Sequence, residues 1–154
     1  MKKSSVYLLL LILSCKVAPE PIAYGETSCR FCSMTVVDKQ HAAQLVTTKG
    51  KVFNFDALEC MINYLKEIED QEIGLLLTNT YYQPKTLTEV QKCTFLISKG
   101  IPSPMGAYLT AFQTSEGAMS AMEEHGGELF TWDELRVRFQ RKPEISHNHV
   151  HDKH

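Results

Sequence analysis

Hydrophobic and polar positions along the first half of the chain predict the order strand, strand, helix, strand. The β-like runs AAQLVTT and KVFNF flank Gly50 and predict a hairpin. A helix is predicted to begin at Asp56, with Glu59 as its capping partner. The run IGLLLTN then predicts a buried strand. The helix presents apolar residues on one face, at Leu58, Met61, Ile62, Leu65 and Ile68.

The second half repeats this order. The runs CTFLIS and AYLTAFQ are joined by the loop KGIPSPMG, and a helix is predicted from Ser115 to His125, ended by two glycines. The run ELFT predicts a strand, and Thr131 with Glu134 is predicted to cap a last helix. The sequence therefore predicts an α+β fold, in which two related ββαβ halves, residues 28–82 and 83–142, form a small compact body.

The N-terminal residues 1–14 predict a secretory signal. Their apolar stretch is too short to span a bilayer, which needs about 20 apolar residues. The sequence ILSC resembles a bacterial lipobox, which predicts cleavage before Cys15 and a lipid on that cysteine. The alternative is an ordinary signal cleaved a few residues later. Residues 15–27 are predicted to be a tether, and Lys16 favours the outer membrane, so we expect a lipid-anchored protein on the periplasmic side.

Charge and motifs exclude several classes of function. The loss of Lys2 and Lys3 with the signal lowers the net charge from −2 to −4. Because no basic stripe is present, nucleic acid is not expected as a partner. The chain lacks GxSxG, HExxH and phosphate-loop patterns, and we therefore expect no enzymatic activity. The polar tail, residues 143–154, carries His147, His149, His151 and His154.

The cysteines point to chemistry near the N-terminus. Five are present, and four remain if Cys15 carries lipid. An oxidising compartment favours disulfides, yet a bridge between Cys29 and Cys32 would close a very small loop and stabilise little. Such pairs are more often redox-active or metal-binding. A thioredoxin-like site would place CxxC at a helix N-terminus after a strand, whereas this pair precedes the strands.

Sulfur ligands favour Cu(I) over zinc, which usually takes four Cys or His ligands. Apart from the tail, no second CxxC or HxxxH completes a zinc site. Met34 follows the cysteine pair, and Met105 lies in a turn-rich loop where a role in the core is harder to assign. His41 and Cys60 are additional candidate ligands, although each also fits a structural role. Cys93 is expected to serve in packing.

Several blocks of the sequence resemble the NosL family. They run in order from Cys29 to about Leu135 and read CRFCSM, AAQLV, FDALECMINYL, SPMGAYLTAF and EEHGGELFTWDEL. The resemblance implies a lipoprotein copper chaperone of α+β fold with two related halves. Such a protein would bind Cu(I) and deliver it to the copper centres of nitrous oxide reductase, working with an ABC-type membrane transporter.

The resemblance also implies a set of ligands. Cys29, Cys32 and Met34 match the CxxCGM block of the family, with Ser33 in place of its glycine, and Met105 matches the methionine of its MG block. Copper is then expected between the halves. Two alternatives stay open: a redox or assembly lipoprotein whose CxxC pair cycles as a disulfide, and a structural lipoprotein that collects metal on its His-rich tail.

Overall fold

The computed structural model describes residues 16–140 except Glu69, and this part of the chain repeats one order of elements. The first half contains β1 (Ala43–Thr47), β2 (Val52–Phe55), α1 (Leu58–Tyr64), β3 (Ile73–Thr80) and β4 (Gln83–Glu89). The second half contains β5 (Thr94–Ile97), β6 (Leu109–Phe112), α2 (Ser115–His125), β7 (Glu128–Phe130) and α3 (Trp132–Gln140).

The strands form two antiparallel sheets with the orders β2-β1-β3-β4 and β6-β5-β7. In each half the first strand lies between the second strand and the strand that follows the helix. The predicted α+β fold with two related ββαβ halves is therefore confirmed, in strand pairing as well as in element order.

The strand β4 was not predicted. Its sequence, QPKTLTE, is polar and largely exposed, so it lacks the apolar run that marks a strand. It pairs with β3 at the edge of the first sheet, where Pro84 is tolerated because an edge strand need not donate every backbone hydrogen bond. β4 follows the predicted boundary between residues 82 and 83, yet its pairing joins it to the first sheet.

The predicted start of α1 was wrong, because both carboxyl groups predicted to cap the helix accept hydrogen bonds from residues distant in the sequence. The helix begins at Leu58, and no side chain caps it. Asp56 Oδ1 instead accepts a hydrogen bond from the Val37 backbone N–H, and Glu59 Oε1 accepts one from the Ser103 hydroxyl.

The predicted cap of α3, in contrast, is confirmed. The Thr131 backbone N–H donates to Glu134 Oε2 at 2.8 Å, and the Glu134 N–H donates to Thr131 Oγ1 at 3.4 Å. This reciprocal pair needs only residues three apart, so the sequence alone contains the information for it.

The segment predicted as a tether is docked on the first sheet from Glu20 onward. The buried Gln44 side chain of β1 accepts a hydrogen bond from the Glu20 N–H at 2.9 Å and donates one to the Glu20 carbonyl at 2.8 Å. Ile22 enters the core. From Glu20 onward this segment is therefore packed structure and not a free linker, because it satisfies the hydrogen-bonding groups of a buried amide.

The larger of the two hydrophobic core clusters in the described part of the chain is shared by both halves. It contains Phe55 and Met61 from the first half together with Phe95, Leu109 and Leu135 from the second. A backbone hydrogen bond from the N–H of Tyr81 to the carbonyl of Ala111 also joins the halves, at 2.9 Å. The two halves consequently form a single packed body.

No helix in the described part of the chain has the length and apolar character needed to cross a membrane. The predicted signal at residues 1–14, the lipid attachment at Cys15 and the His-rich tail at 143–154 lie outside the described residues.

Candidate metal centre

The CxxC pair lies in a tight loop that precedes β1. Ser28 and Thr35 form an isolated antiparallel bridge across its base. Inside it, the Cys29 N–H donates to the Met34 carbonyl at 2.7 Å, and the Ser33 N–H donates to the Cys29 carbonyl at 3.0 Å. These short-range bonds fold the chain back on itself, which turns both cysteines toward the body.

The turn requires a left-handed backbone conformation at Ser33, whose φ is 64°. Glycine adopts this conformation without strain, whereas a residue with a Cβ atom does so at a cost. The serine therefore occupies the one position in the loop where the CxxCGM block has its glycine, and it takes the conformation that glycine would favour.

Arg30 binds the CxxC loop to the first half through a hydrogen bond and two cation–π contacts. Its backbone N–H donates to the Asn54 carbonyl of β2 at 2.8 Å. Its guanidinium lies 5.3 Å from the ring centroid of Phe53 and 5.6 Å from that of Tyr64. The loop is thereby held against both β2 and α1.

This arrangement brings Cys60 to the CxxC pair. Cys60 lies in α1, and the Sγ atoms of Cys29, Cys32 and Cys60 are all within 4.8 Å of one another. Cys29 and Cys60 are buried, whereas Cys32 is half-buried. All three are free thiols. The loop and the helix thus bring together three sulfur donors, Cys29, Cys32 and Cys60, which form the thiol group of this site.

Hydrogen bonding and burial give these three thiols different pKa values. The Cys60 thiol donates to Cys29, which lowers the pKa of Cys29 to about 4, and backbone N–H groups of Cys32, Asp56 and Phe31 add to this effect against the cost of burial. The same bond raises the pKa of Cys60, and burial raises it further. Burial also raises the pKa of Cys32. Of the three thiols, Cys29 therefore loses its proton most readily.

The two methionines lie in exposed loops. Met34 is 50% exposed and Met105 is 40% exposed, so neither fills the core. The loop of Met105 is joined to α1, because the Ser103 hydroxyl donates to Glu59, the residue before Cys60. A loop of the second half thus contacts α1, the helix that carries Cys60.

His41 has structural partners. It is buried, its Nε2 lies 3.1 Å from Thr110 Oγ1, and its Nδ1 lies 3.1 Å from Asp38 Oδ1. It does not belong to the thiol group. Cys93 is also apart from that group: it is buried, its thiol donates to the Glu89 carbonyl at 3.5 Å, and burial raises its pKa to about 12.

Cys60 was only a secondary candidate in the sequence. Its position on the buried face of α1 suits a small core residue equally well, and no spacing relates it to the CxxC pair 28 residues upstream. A third thiol therefore emerges only from the packing of the loop on the helix. Three sulfur donors suit a soft ion of low coordination number better than zinc, which prefers four ligands.

Comparisons with known proteins agree with the fold. The family model described as NosL matches residues 22–139. The crystal structure of the copper chaperone NosL from Shewanella denitrificans superposes with a TM-score of 0.66 at 17% identity, covering 77% of this chain and 96% of that chain. At this identity the likeness shows a shared fold. Among curated proteins, no sequence matches this chain.

Proposed function

The chain belongs to the NosL family, and from that premise we propose that it is a Cu(I) metallochaperone and not an enzyme. The observation that carries the proposal is the group formed by Cys29, Cys32 and Cys60, whose sulfur atoms lie within 4.8 Å of one another. We propose Met34 and Met105, both in exposed loops, as additional thioether donors, because Met34 follows the CxxC pair in the same loop and the loop of Met105 is bonded to α1 through Ser103 and Glu59. Sulfur ligands of both kinds are those that Cu(I) prefers.

The exposed methionines suit a protein that passes its metal on. Transfer by ligand exchange requires that a sulfur of the recipient reaches the ion before the last donor sulfur leaves. Cys29 and Cys60 are buried and retain the ion, whereas half-buried Cys32 and the exposed thioethers provide the side from which a recipient enters. A low coordination number leaves room for that additional ligand.

The protonation of the site favours copper uptake. Metal ions bind thiolates, and binding to a thiol requires loss of its proton. Because the pKa of Cys29 is lowered to about 4, this ligand is already deprotonated at neutral pH. It would capture the ion first, and the electrostatic gain from bound Cu(I) would then favour deprotonation of its neighbours.

An anaerobic Cu(I) titration against a competing chelator tests the proposal. Wild-type protein is expected to bind one Cu(I) tightly, and Cys29→Ser, Cys32→Ser and Met105→Ala are each expected to weaken binding. Cys93→Ala is the matched control, because it removes a buried thiol outside the group and leaves the site intact. Equal affinity in the wild type and in all three site variants would refute the site.

We further propose that the protein is lipid-anchored through Cys15 on the periplasmic side, at the outer membrane. There it would load the copper centres of nitrous oxide reductase together with an ABC-type transporter. The resemblance to the family and the lipobox at residues 12–15 support this proposal. Fractionation of cells that express wild type or Cys15→Ala tests the anchor, since only the wild type should sediment with membranes.

The proposed client is tested by the copper content of the enzyme. In cells whose copy of this gene is deleted, nitrous oxide reductase should accumulate without its full copper complement. Wild-type protein should restore the copper content, whereas Cys29→Ser should not. An enzyme fully loaded with copper in the deletion strain would refute this client while leaving Cu(I) binding intact.

Thiol-disulfide exchange remains the alternative, and the lowered pKa of Cys29 is the observation that favours it, since reactive dithiols contain such a thiolate. Counting free thiols after isolation with and without copper separates the two functions. A chaperone should retain reduced, copper-bound thiols. A pair that stays oxidised in the presence of copper, with activity restored by reduction alone, would favour the redox function.

A further inference from the structure

A buried acidic residue directly precedes Cys60 in α1. The side chain of Glu59 is 2% exposed, and its Oε1 accepts a hydrogen bond of 2.5 Å from the Ser103 hydroxyl. Its Oε2 has no hydrogen-bond partner among the described residues. Burial of a carboxyl group costs free energy unless hydrogen bonds compensate for it. The Ser103 contact is thus the interaction that makes this burial tolerable, and it couples α1 to a loop of the second half.

Ser103 also organises the loop that carries Met105. Its carbonyl accepts a hydrogen bond from the Gly106 N–H at 3.0 Å, which closes a turn around Met105. Its hydroxyl oxygen lies within 3.4 Å of the Leu109 N–H at the start of β6. One residue therefore shapes the turn and connects it both to its own sheet and to α1.

The loop needs such external contacts, because its backbone is strained. Gly106 has a φ of 74°, and Tyr108 has a φ of 58°. The left-handed conformation is free of strain for glycine but costs about 1 kcal/mol or more for a bulky aromatic residue. Without contacts from outside, the segment around Tyr108 would relax to a right-handed or extended conformation, and the position of Met105 would change with it.

We infer that Glu59 and Ser103 are positioning residues that hold the Met105 thioether in place relative to the three thiols, an inference that rests on the proposed function. Functional sites require their ligands to be held within about 0.5 Å of the productive geometry. Residues outside the ligand set that orient a ligand typically change metal affinity by about 10- to 100-fold when replaced. Glu59 and Ser103 act through Met105 and do not contact the ion.

A double-mutant cycle tests this inference through Cu(I) affinity, measured against a chromophoric chelator under anaerobic, reducing conditions. Ser103→Ala is expected to weaken Cu(I) binding by about 10-fold in the wild-type background. In the Met105→Ala background the same change is expected to weaken binding by less than about twofold, because the positioned ligand is already absent. Copper X-ray absorption should report one fewer sulfur neighbour in Ser103→Ala.

Variants of Glu59 distinguish positioning from a role of the carboxyl group itself. Glu59→Gln keeps an oxygen that accepts the Ser103 hydrogen bond, so its Cu(I) affinity should stay within about twofold of wild type. Glu59→Leu removes the acceptor and should reproduce the effect of Ser103→Ala. Thr131→Ala is the matched control, since it removes another hydrogen bond between a hydroxyl and a carboxyl group, at the start of α3, and should leave Cu(I) affinity unchanged.

Two results would overturn the inference: equal weakening by Ser103→Ala in both backgrounds, or weakening by Glu59→Gln as large as that by Ser103→Ala. Circular dichroism of each metal-free variant verifies folding, and Glu59→Leu replaces Ser103→Ala in the cycle if the latter does not fold. Failure of the proposed function would look different, because wild-type protein would then bind no Cu(I). The positioning inference alone would be refuted if wild type bound Cu(I) tightly, Cys29→Ser lost this binding, and the effects of Ser103→Ala and Met105→Ala were additive.

Discussion

A single residue, Ser33, stores backbone strain next to the thiol group. Its φ of 64° costs a residue with a Cβ atom about 1–2 kcal/mol, whereas glycine accepts it freely. Glycine also loses more conformational entropy on folding, which costs about 0.5–1 kcal/mol and offsets part of the relief of backbone strain. We therefore expect Ser33→Gly to raise the free energy of unfolding of the reduced, metal-free protein by about 0.5–1 kcal/mol, measured by urea denaturation.

Ser28→Gly is the matched control for this change. Ser28 lies in the same loop, in the bridge to Thr35, and is not among the described residues with positive φ. The same substitution there should lower the free energy of unfolding by about 0.5–1 kcal/mol, because only the entropic penalty of glycine remains. Destabilisation of similar size by both substitutions would contradict the role of backbone strain at Ser33.

The thiolate of Cys29 is a second property of a single residue that can be measured. Because the Cys60 thiol donates to it, the pKa of Cys29 is about 4 in place of 9. The ultraviolet absorbance of reduced, metal-free protein should thus show one thiolate at neutral pH that protonates only near pH 4. Cys60→Ala removes the donor, so the midpoint of this titration should move to higher pH.

The lowered pKa of Cys29 also predicts how the free energy of unfolding depends on pH. A group whose pKa is lowered by folding stabilises the native state above its unfolded pKa and loses that contribution as the pH falls to the folded value. The Cys29 contribution should therefore decline between pH 9 and about pH 4, and Cys29→Ser should lack this dependence. Cys93→Ala should retain it, because Cys93 lies outside the thiol group. A thiolate signal that persists in Cys29→Ser would contradict the assignment.

At the scale of elements, the geometry of the thiol group depends on how the CxxC loop docks on β2 and α1. Arg30 makes this contact with its backbone N–H and with a guanidinium that faces Phe53 and Tyr64. Such cation–π contacts contribute about 0.5–1 kcal/mol each at exposed sites. We expect Arg30→Ala to lower the free energy of unfolding by about 1 kcal/mol and also to weaken Cu(I) binding, since the loop then fits less closely on α1.

Lys51→Ala separates the two effects of the Arg30 substitution. Lys51 Nζ lies 4.7 Å from the Phe53 ring centroid, but Lys51 directly precedes β2 and does not belong to the CxxC loop. Its removal should lower stability modestly and leave Cu(I) affinity unchanged, as measured with the competing chelator. Similar losses of Cu(I) affinity in both variants would show that the loop is not held by Arg30 specifically.

At the scale of the whole molecule, the two halves share one core and a buried polar bridge. His41 precedes β1, and its Nε2 lies 3.1 Å from the Thr110 hydroxyl of β6. A buried polar group that loses its partner costs about 1–3 kcal/mol. Thr110→Val keeps the shape of the side chain but leaves the His41 nitrogen unpaired, so we expect the free energy of unfolding to fall by that amount, about 1–3 kcal/mol.

Two optical probes can establish whether the halves unfold together. Trp132 is the sole tryptophan and lies in the second half, whereas far-ultraviolet circular dichroism reports both halves. Because of the shared core, the two transitions in urea should coincide in wild type and in Thr110→Val. Fluorescence and circular dichroism midpoints that differ would instead show that the halves are separate cooperative units.

The sequence by itself determined the features that depend on neighbours along the chain. Period-two and helical spacing of apolar residues placed two ββαβ units, and the Thr131–Glu134 pair marked the start of α3. The CxxC pair and Met34 could be proposed as candidate sulfur donors because they lie within six residues of one another. Each of these features rests on local conformation or on periodic burial, which a linear sequence records directly.

Only the tertiary structure decided which distant groups become partners. Asp56 and Glu59 were predicted to cap a helix, yet their carboxyl groups accept hydrogen bonds from Val37 and Ser103. The residues before the CxxC loop looked like a linker, yet they satisfy buried Gln44. Cys60 joins Cys29 and Cys32 only through the packing of a loop on a helix. The physical reason is that burial makes unpaired polar groups and thiols depend on whatever group the fold brings near, and no spacing in the sequence encodes that proximity.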